Sequence, residues 1–468
     1  MKKKLSSKKE PKITVYIPNS NYNLYFEKAI ISAINQDYKN FEIIIIIDGY
    51  DYEAINISKK FVKLNKNIRL FINKKKQGLR ACANKAINHS KGSYIIRLDA
   101  DDYFTHNALK DLSYYVKKNP NMDLVYGDFY YVDKNEKVIG LHLHKKINVK
   151  KSLFNLPAHG ACSLVKKNTL VKLGGYNSLF DAQDGYELWL KFFDKKLIGY
   201  IQKPIFYYRQ HENSMSTNEN KILEARRKIK RYFVSKKKLL INRKILFVVG
   251  ARNKNNILFK KINKKNLIEY TLNELSKTRI KNKKVIVSTD SKKIKEYVKK
   301  KYNFFSYIRP TKLSSDFVII DNIIYDAFKY FLNKQKFTPD IVVFINSNAP
   351  CIKKEHILKA IDTLVLFNSD SVISVYEDLD LHFKYSQSGL KRVSKRMHHQ
   401  LRMYRDSLLV DNKSITACWS KVIKKNNIYG KKIGHINMKR SESINIKNTY
   451  DFWLAEKYLK ERNKFENF

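Results

Sequence analysis

The sequence predicts an α/β protein made of two nucleotide-binding, Rossmann-like domains, and three observations carry that prediction. The chain has 468 residues, more than one hydrophobic core commonly serves. Two β-strand signatures, Ile13–Ile17 and Lys244–Val249, each open one half of it. Each is followed by a loop, a helical pattern and a second apolar strand: Ile43–Ile47 in the first half, Val285–Val287 in the second. Strands that alternate with helices pair in parallel as βαβ units, and such sheets bind nucleotides at the carboxyl ends of their strands.

Bulk composition narrows the class. Hydrophobic residues make up 43% and aromatics 13%, which suits packed globular domains rather than disorder. The longest aliphatic run, Ile43–Ile47, is far short of the ~20 residues that span a bilayer. The basic start Met1-Lys2-Lys3-Lys4-Leu5 runs into Ser6–Lys12 without an apolar stretch, so no signal peptide is expected. Cys82, Cys162, Cys351 and Cys418 lie far apart with no CxxC pair. That spacing argues against a zinc site or disulfide framework and suits a reducing, cytoplasmic setting. Lys and Arg number 93 against 43 Asp and Glu, a formal net charge of +50. The lysines are spread along the whole chain, so the excess reads either as compositional drift or as a surface for anionic partners. With no nucleic-acid motif beside it, no nucleic-acid partner is expected.

Between the halves, Lys221–Arg243 reads as a basic amphipathic helix. Ile222, Ala225, Ile229 and Phe233 recur at helical spacing, with Arg226, Arg227, Lys228, Lys230 and Arg231 on the other faces. It is either a linker helix with solvated charges or a contact with an anionic membrane at its inner face. The expected organisation is a basic tail over 1–11, a first domain over 12–218, a linker helix over 219–243 and a second domain over 244–468.

In the first half, the strand Tyr94–Leu98 runs straight into Asp99-Ala100-Asp101-Asp102. Three carboxylates in four residues repel one another unless a cation sits among them, and a divalent ion with hard oxygen ligands also binds a diphosphate. The neighbours come in a particular order. Pro18 and a polar loop follow the first strand, Asp48-Gly49 the second; then come Gly78-Leu79-Arg80, Asn84, Gly92 and the acidic cluster. Downstream are Gly174-Gly175-Tyr176, Gln183-Asp184-Gly185-Tyr186-Glu187-Leu188-Trp189 and Tyr207-Tyr208-Arg209-Gln210-His211 with Ser214 and Ser216.

In that series, over roughly residues 12–217, the chain resembles the family 2 inverting glycosyltransferases, which have the GT-A fold. The resemblance implies a nucleotide-sugar donor, a glycan or lipid-linked acceptor, and a Mg²⁺ or Mn²⁺ held by Asp99 and Asp101, with His211 as a third ligand or a diphosphate contact. It implies donor contacts from Pro18, Asp48, Arg80 and Asp99. It makes Asp184 the catalytic base, preceded by Gln183 where the family has Glu. Alternatively Asp184 caps the helix Tyr186–Phe193 and His211 is structural. Where the family has two acids before the glycine of the second strand, Ile47 stands before Asp48, which leaves the nucleotide base open.

The second half resembles the acylneuraminate cytidylyltransferases, from about Lys244 to Lys460. The match rests on Leu267–Thr271, Val285–Asp290, Arg309-Pro310, Leu313–Asp316, Asp370–Val375 and Asp451–Glu456. It implies CTP or a CMP-sugar as ligand, a domain that dimerises, and a pocket with Arg252, Arg309, Asn346 and Asp316. Three departures stand out. The phosphate loop after Gly250-Ala251-Arg252 is short, has no glycine and ends in Ile257-Leu258, where the family has Lys-Asn. The loop Asn346–Ile352 lacks the family's arginine, and the metal motif Ser-Ile-Asp-Ile-Asp reads Ser443-Ile444-Asn445-Ile446-Lys447. A glycosyltransferase with a disarmed cytidylyltransferase domain is the leading reading. The alternatives are a bifunctional enzyme that also makes CMP-nonulosonic acid, and a non-catalytic sugar-nucleotide scaffold.

Overall fold

The computed structural model describes residues 10–20, 23–144, 160–180, 182–193, 198–211, 219–315, 317–378, 380–393 and 408–465. The chain divides into two compact units, Met1–Ile229 and Lys230–Phe468.

The first unit begins β1 (Ile13–Asn19), α1 (Asn23–Ile34), β2 (Phe41–Asp48), α2 (Tyr52–Leu64), β3 (Ile68–Asn73), α3 (Leu79–His89) and β4 (Tyr94–Arg97). It continues β5 (Tyr103–Phe104), α4 (Ala108–Lys118), β6 (Leu124–Val132), β7 (Val138–His142), β8 (Leu164–Lys166), α5 (Lys167–Lys172), α6 (Asp184–Phe193) and β9 (Ile198–Arg209). The sheet runs β3-β2-β1-β4-β8-β6-β9-β5, with β7 on β6. The pairs β3-β2, β2-β1 and β1-β4 are parallel and β8 is antiparallel to both its neighbours. The run Ile43–Ile47 is buried throughout, as a strand covered on both faces requires. From β1 the order grows one way through β2 and β3 and the other way to β4, so Pro18 and Asp99 end strands on either side of the switch point where α/β sheets hold ligands.

Helix α7 (Glu219–Lys236) carries the division between the units. Its expected apolar positions Ala225, Ile229 and Phe233 are buried. It stops at Lys236, seven residues short of the expected Arg243, because Lys238 adopts a left-handed φ of 54° and the amides of Lys237 and Leu239 close the turn.

The second unit comprises β10 (Ile245–Ala251), β11 (Lys261–Ile262), β12 (Lys265–Asn266), α8 (Leu267–Ser276), β13 (Lys283–Thr289), α9 (Lys292–Tyr302), β14 (Phe305–Ile308) and α10 (Ile320–Lys334). It ends β15 (Ile341–Asn346), α11 (Lys354–Phe367), β16 (Ser371–Asp378), β17 (Phe383–Ser386), β18 (Gly389–Arg392), β19 (Leu408–Trp419), β20 (Ile433–Asn437) and α12 (Thr449–Phe465). Its main sheet runs β14-β13-β10-β15-β19-β16-β20, parallel from β14 to β15. Here the switch point lies between β10 and β15, placing Arg252 and Asn346 at adjacent strand ends.

Candidate functional site

The centre of the first unit is an arginine that the sequence reading did not single out. Arg97, the last residue of β4, is 5% exposed. Its Nε lies 2.8 Å from Asp99 Oδ1 and its Nη2 3.4 Å from Asp99 Oδ2, while Nη1 donates to Asp184 Oδ2. One guanidinium therefore joins the acidic strand end to the proposed base. The signal was present in the sequence: a charged residue inside an apolar strand is buried, and a buried charge needs partners.

Asp184 is the first residue of α6, which packs on the sheet through Trp189, fully buried and edge-on to Tyr126 of β6 at 4.9 Å. Close approach on the other side depends on Gly160: a Cβ there would meet Gly185 Cα at 2.8 Å and Asp184 Oδ2 at 3.2 Å. Gln183 turns the chain into α6 with a left-handed φ of 60° and accepts from Arg226 Nε at 2.8 Å. Burial raises the Asp184 carboxyl, but Arg97 and Arg80 outweigh it and hold it below the ordinary carboxylate value. Asp184 is thus ionised at neutral pH, as a proton acceptor must be. Glu187, one turn on, is wholly buried between Lys191 at 2.7 Å and Arg80 Nε at 3.5 Å.

The acidic residues divide the work. Burial, with the charges of Asp101 and Asp184, pushes Asp99 up to about 6 against the pull of Arg97. Asp101 Oδ2 lies 3.0 Å from His211 Nε2. Asp102 accepts the Arg209 amide on Oδ1 at 2.9 Å, while its buried Oδ2 has no hydrogen-bond partner among the described residues. Burial raises this carboxyl well above its usual value. Arg209 is itself fully buried: Nε donates to the Asp101 carbonyl at 3.0 Å, Nη2 reaches Glu136 Oε1 at 3.2 Å, and the guanidinium lies 4.0 Å from the Tyr25 ring centroid. It fixes the turn that aims Asp101 at His211.

Among the described residues no group of three or more His, Cys, Asp or Glu side chains is arranged to hold a metal. The pair Asp101 and His211, beside an orphaned Asp102 oxygen and a charge-crowded Asp99, nevertheless offers donors of the kind a divalent ion would take.

The remaining candidates are placed differently. Asp48 spends both oxygens internally, accepting from Asn73 Nδ2 and the Gln77 amide at 2.9 Å and the Gly78 amide at 2.8 Å. Arg80, 6% exposed, donates to the carbonyls of Phe180 and Ala182 and so tethers the approach to α6. Pro18 is buried near the end of β1. Ser214 and Ser216 lie outside the described residues.

In the second unit, Arg309 is 3% exposed; its Nε and Nη2 have no hydrogen-bond partner among the described residues, and Nη2 is 4.0 Å from Asp290 Oδ2. Asn253, next to Arg252, donates its amide to Asp290 Oδ1 at 2.9 Å. The short loop after Arg252 closes through left-handed Asn255 and Asn256 instead of glycine. Asn346 is tied to the Lys413 carbonyl at 3.3 Å and to the Asn348 amide at 3.0 Å. Asp316 lies outside the described residues.

Comparison with known proteins places both units. The family model for glycosyl transferase family 2 matches residues 14–181, and that for cytidylyltransferase matches residues 252–464. Glycosyltransferase GlyA of Streptococcus pneumoniae serotype 4 is 26% identical over 222 residues, 44% of this chain and 32% of the relative. The GalNAc(5)-diNAcBac-PP-undecaprenol beta-1,3-glucosyltransferase of Campylobacter jejuni is 28% identical over 205 residues, 42% of this chain and 65% of its own. The O-antigen biosynthesis glycosyltransferase WbnJ of Escherichia coli is 30% identical over 183 residues, 38% of this chain and 70% of the relative. The chain thus spans about a third of GlyA and just under two thirds of the Campylobacter protein. With an α/β sheet that ends in the acidic cluster, Asp184 tied to that cluster through Arg97, and these matches, the chain belongs to glycosyl transferase family 2 and carries a cytidylyltransferase domain behind the transferase domain.

Proposed function

We propose that the first unit, with a catalytic domain over about residues 12–218, is an inverting glycosyltransferase that moves a sugar from a nucleotide-sugar donor to a glycan or lipid-linked acceptor. The observation that carries this reading is the Arg97 bridge between Asp99 and Asp184, which puts a donor-side carboxylate and an ionised base on one rigid cation. A sugar hydroxyl is a poor nucleophile; Asp184 accepts its proton as the new bond forms. One base and no covalent intermediate lead to inversion at the anomeric carbon, by the logic that governs inverting hydrolases. Asp101 and His211 would hold a divalent cation, Mg²⁺ or Mn²⁺, which would supply positive charge against the departing diphosphate. Arg97 and Arg209 keep the two carboxylate groups apart and oriented, and Asp48 shapes the donor loop 73–78 through its hydrogen bonds.

The acceptor class follows the relatives, one named for an undecaprenol-PP-linked substrate and one for O-antigen biosynthesis. None of the described helices is long and apolar enough to cross a membrane. We place the enzyme in the cytoplasm, with basic α7 available to an anionic membrane surface. The second unit keeps the cytidylyltransferase fold without its turnover, with dimerisation as in the family it resembles. A thermal-shift panel of UDP, GDP, dTDP, CDP, CMP and CTP, with and without Mn²⁺, tests the donor assignment. Mn²⁺-dependent stabilisation by at least one nucleoside diphosphate is expected; no response to any of them contradicts it.

A further inference from the structure

Asn84 is half-buried on α3, one turn beyond Arg80 and on the same face of the helix. Its Nδ2 donates to the Tyr176 carbonyl at 2.8 Å, and its Oδ1 accepts the Tyr176 amide at 2.8 Å. One side-chain amide thus satisfies both backbone polar groups of a single residue, as a neighbouring strand would. The fit needs close approach. Gly175 adopts a left-handed φ of 59°, and a Cβ there would meet Asn84 Oδ1 at 2.6 Å.

The clamped residue leads to Asp184. Tyr176 is 6% exposed, and burial, followed by the charge of Asp184, raises its phenol above the ordinary value. Beside it, the Asn177 amide donates to Glu187 Oε1 at 3.1 Å, and the Gly175 carbonyl accepts from Lys191 Nζ. Both partners lie on α6, which begins with Asp184. Arg80 holds the same segment further on, at the carbonyls of Phe180 and Ala182. The approach to Asp184 is therefore fixed at two places by α3 and at two by α6. Helix α3 itself starts at the loop that Asp48 anchors through the amides of Gln77 and Gly78, at 2.9 and 2.8 Å. One helix of 11 residues connects the donor loop with the segment that carries Asp184.

From this we propose that Asn84 is a positioning residue for the base: through the peptide groups of Tyr176 it sets where Asp184 stands relative to the donor loop, acting on another residue rather than on a substrate. Gly175 is the small residue that the clamp requires. The proposal rests on the reading of Asp184 as the base. A carboxylate displaced by about 1 Å from the group it must deprotonate loses much of its rate advantage, while contacts to the donor stay in place. The signature therefore lies in kcat and not in donor KM.

The test is steady-state turnover by the full-length protein of UDP-, GDP-, dTDP- and CDP-glucose with Mn²⁺, with water as the acceptor and release of nucleoside diphosphate as the readout. The wild type selects the donor. Asn84→Ala, Gly175→Ala, the double variant and Asp184→Asn are then compared on it, each below its own Tm. Asn84→Ala is expected to lower kcat about ten- to a hundredfold, the scale of a small misplacement, with donor KM within about twofold of the wild type. Gly175→Ala should show the same split, because its methyl group drives Asn84 Oδ1 away. It should cost less in the Asn84→Ala background, where only the left-handed backbone strain remains. Should Asn84→Ala fail to fold, Gly175→Ala must show the split by itself. Wild-type kcat in a folded Asn84→Ala, an effect confined to donor KM, or additive effects in the double variant overturns the proposal. A folded Asp184→Asn that turns over donor at the wild-type rate, or a wild type that turns over none of the four, would instead overturn the reading beneath it, so the two failures are distinguishable.

Discussion

Replacing Arg97 by glutamine removes the cation between Asp99 and Asp184, and the cost can be worked from its surroundings. Arg97 is 5% exposed, Asp184 14% and Asp99 25% as side chains. Removing one partner of a buried ion pair costs about 3–5 kcal/mol. Both carboxylates reach some water, which screens them, so the lower end applies, about 3 kcal/mol. For a unit of the size of Met1–Ile229 that is a fall in Tm of about 6–12 °C. The pH dependence has a defined sign. In the wild type the Asp184 carboxyl lies below its ordinary value, so its contribution is present above about pH 3.9 and is lost as pH falls through the folded-state pKa. In Arg97→Gln, burial is opposed only by Arg80 and the Gly185 amide, and the carboxyl rises. The deficit is then full at neutral pH and shrinks as acid neutralises the stranded carboxylates. Scanning calorimetry of both proteins from neutral to mildly acidic pH measures it. A deficit that is constant with pH, or that grows in acid, refutes the bridge as an electrostatic element.

Other consequences are as direct. Asp48→Ala frees two backbone amides and Asn73, and should lower Tm by about 6–12 °C for a loss of about 3 kcal/mol; an unchanged Tm with a selective loss of donor affinity would make Asp48 a nucleotide contact instead. Because Asp99 sits at about 6, its carboxylate is lost as pH falls through that value, so calorimetric Mn²⁺ affinity should strengthen on raising pH through it, and Asp99→Asn should make that rise shallower. Excess chelator should stop donor turnover, measured as release of nucleoside diphosphate. Asn445→Asp combined with Lys447→Asp should create Mg²⁺-dependent CTP binding in the second unit, read by calorimetry; no change would mean that the surrounding Asn412–Ser443 network also excludes the metal.

Local patterns made the fold readable. The apolar runs Ile13–Ile17 and Ile43–Ile47 have the length of buried strands, and the helical spacing of Ala225, Ile229 and Phe233 named the face that α7 buries. Motif order brought Asp99, Asp101, Asp184 and His211 to notice, and the structure sets Asp101 against His211 and ties Asp99 to Asp184 through Arg97. Arg97 escaped because it reads as the tail of a strand, and its partner Asp184 is 87 residues away. Arg209 looked like a motif neighbour of His211, although it holds the Asp101–Asp102 turn across a separation of more than 100 residues. The internal use of Asp48 was hidden for the same reason, since its partners lie 25 to 30 residues downstream. Such pairings depend on how strands and loops meet, which periodicity does not encode.

The central claim is that Asp184 is the base of a sugar transfer, and one comparison tests it most directly. Full-length protein and Asp184→Asn are assayed for transfer to a glycan or lipid-linked acceptor, at saturating nucleotide-sugar donor with Mn²⁺, beside calorimetric donor binding. The account predicts a rate about 10²–10⁴-fold lower in the variant, the scale of a missing general base, with donor affinity retained. Transfer at the wild-type rate by a folded Asp184→Asn would contradict it, leaving Asp184 as no more than the first residue of α6.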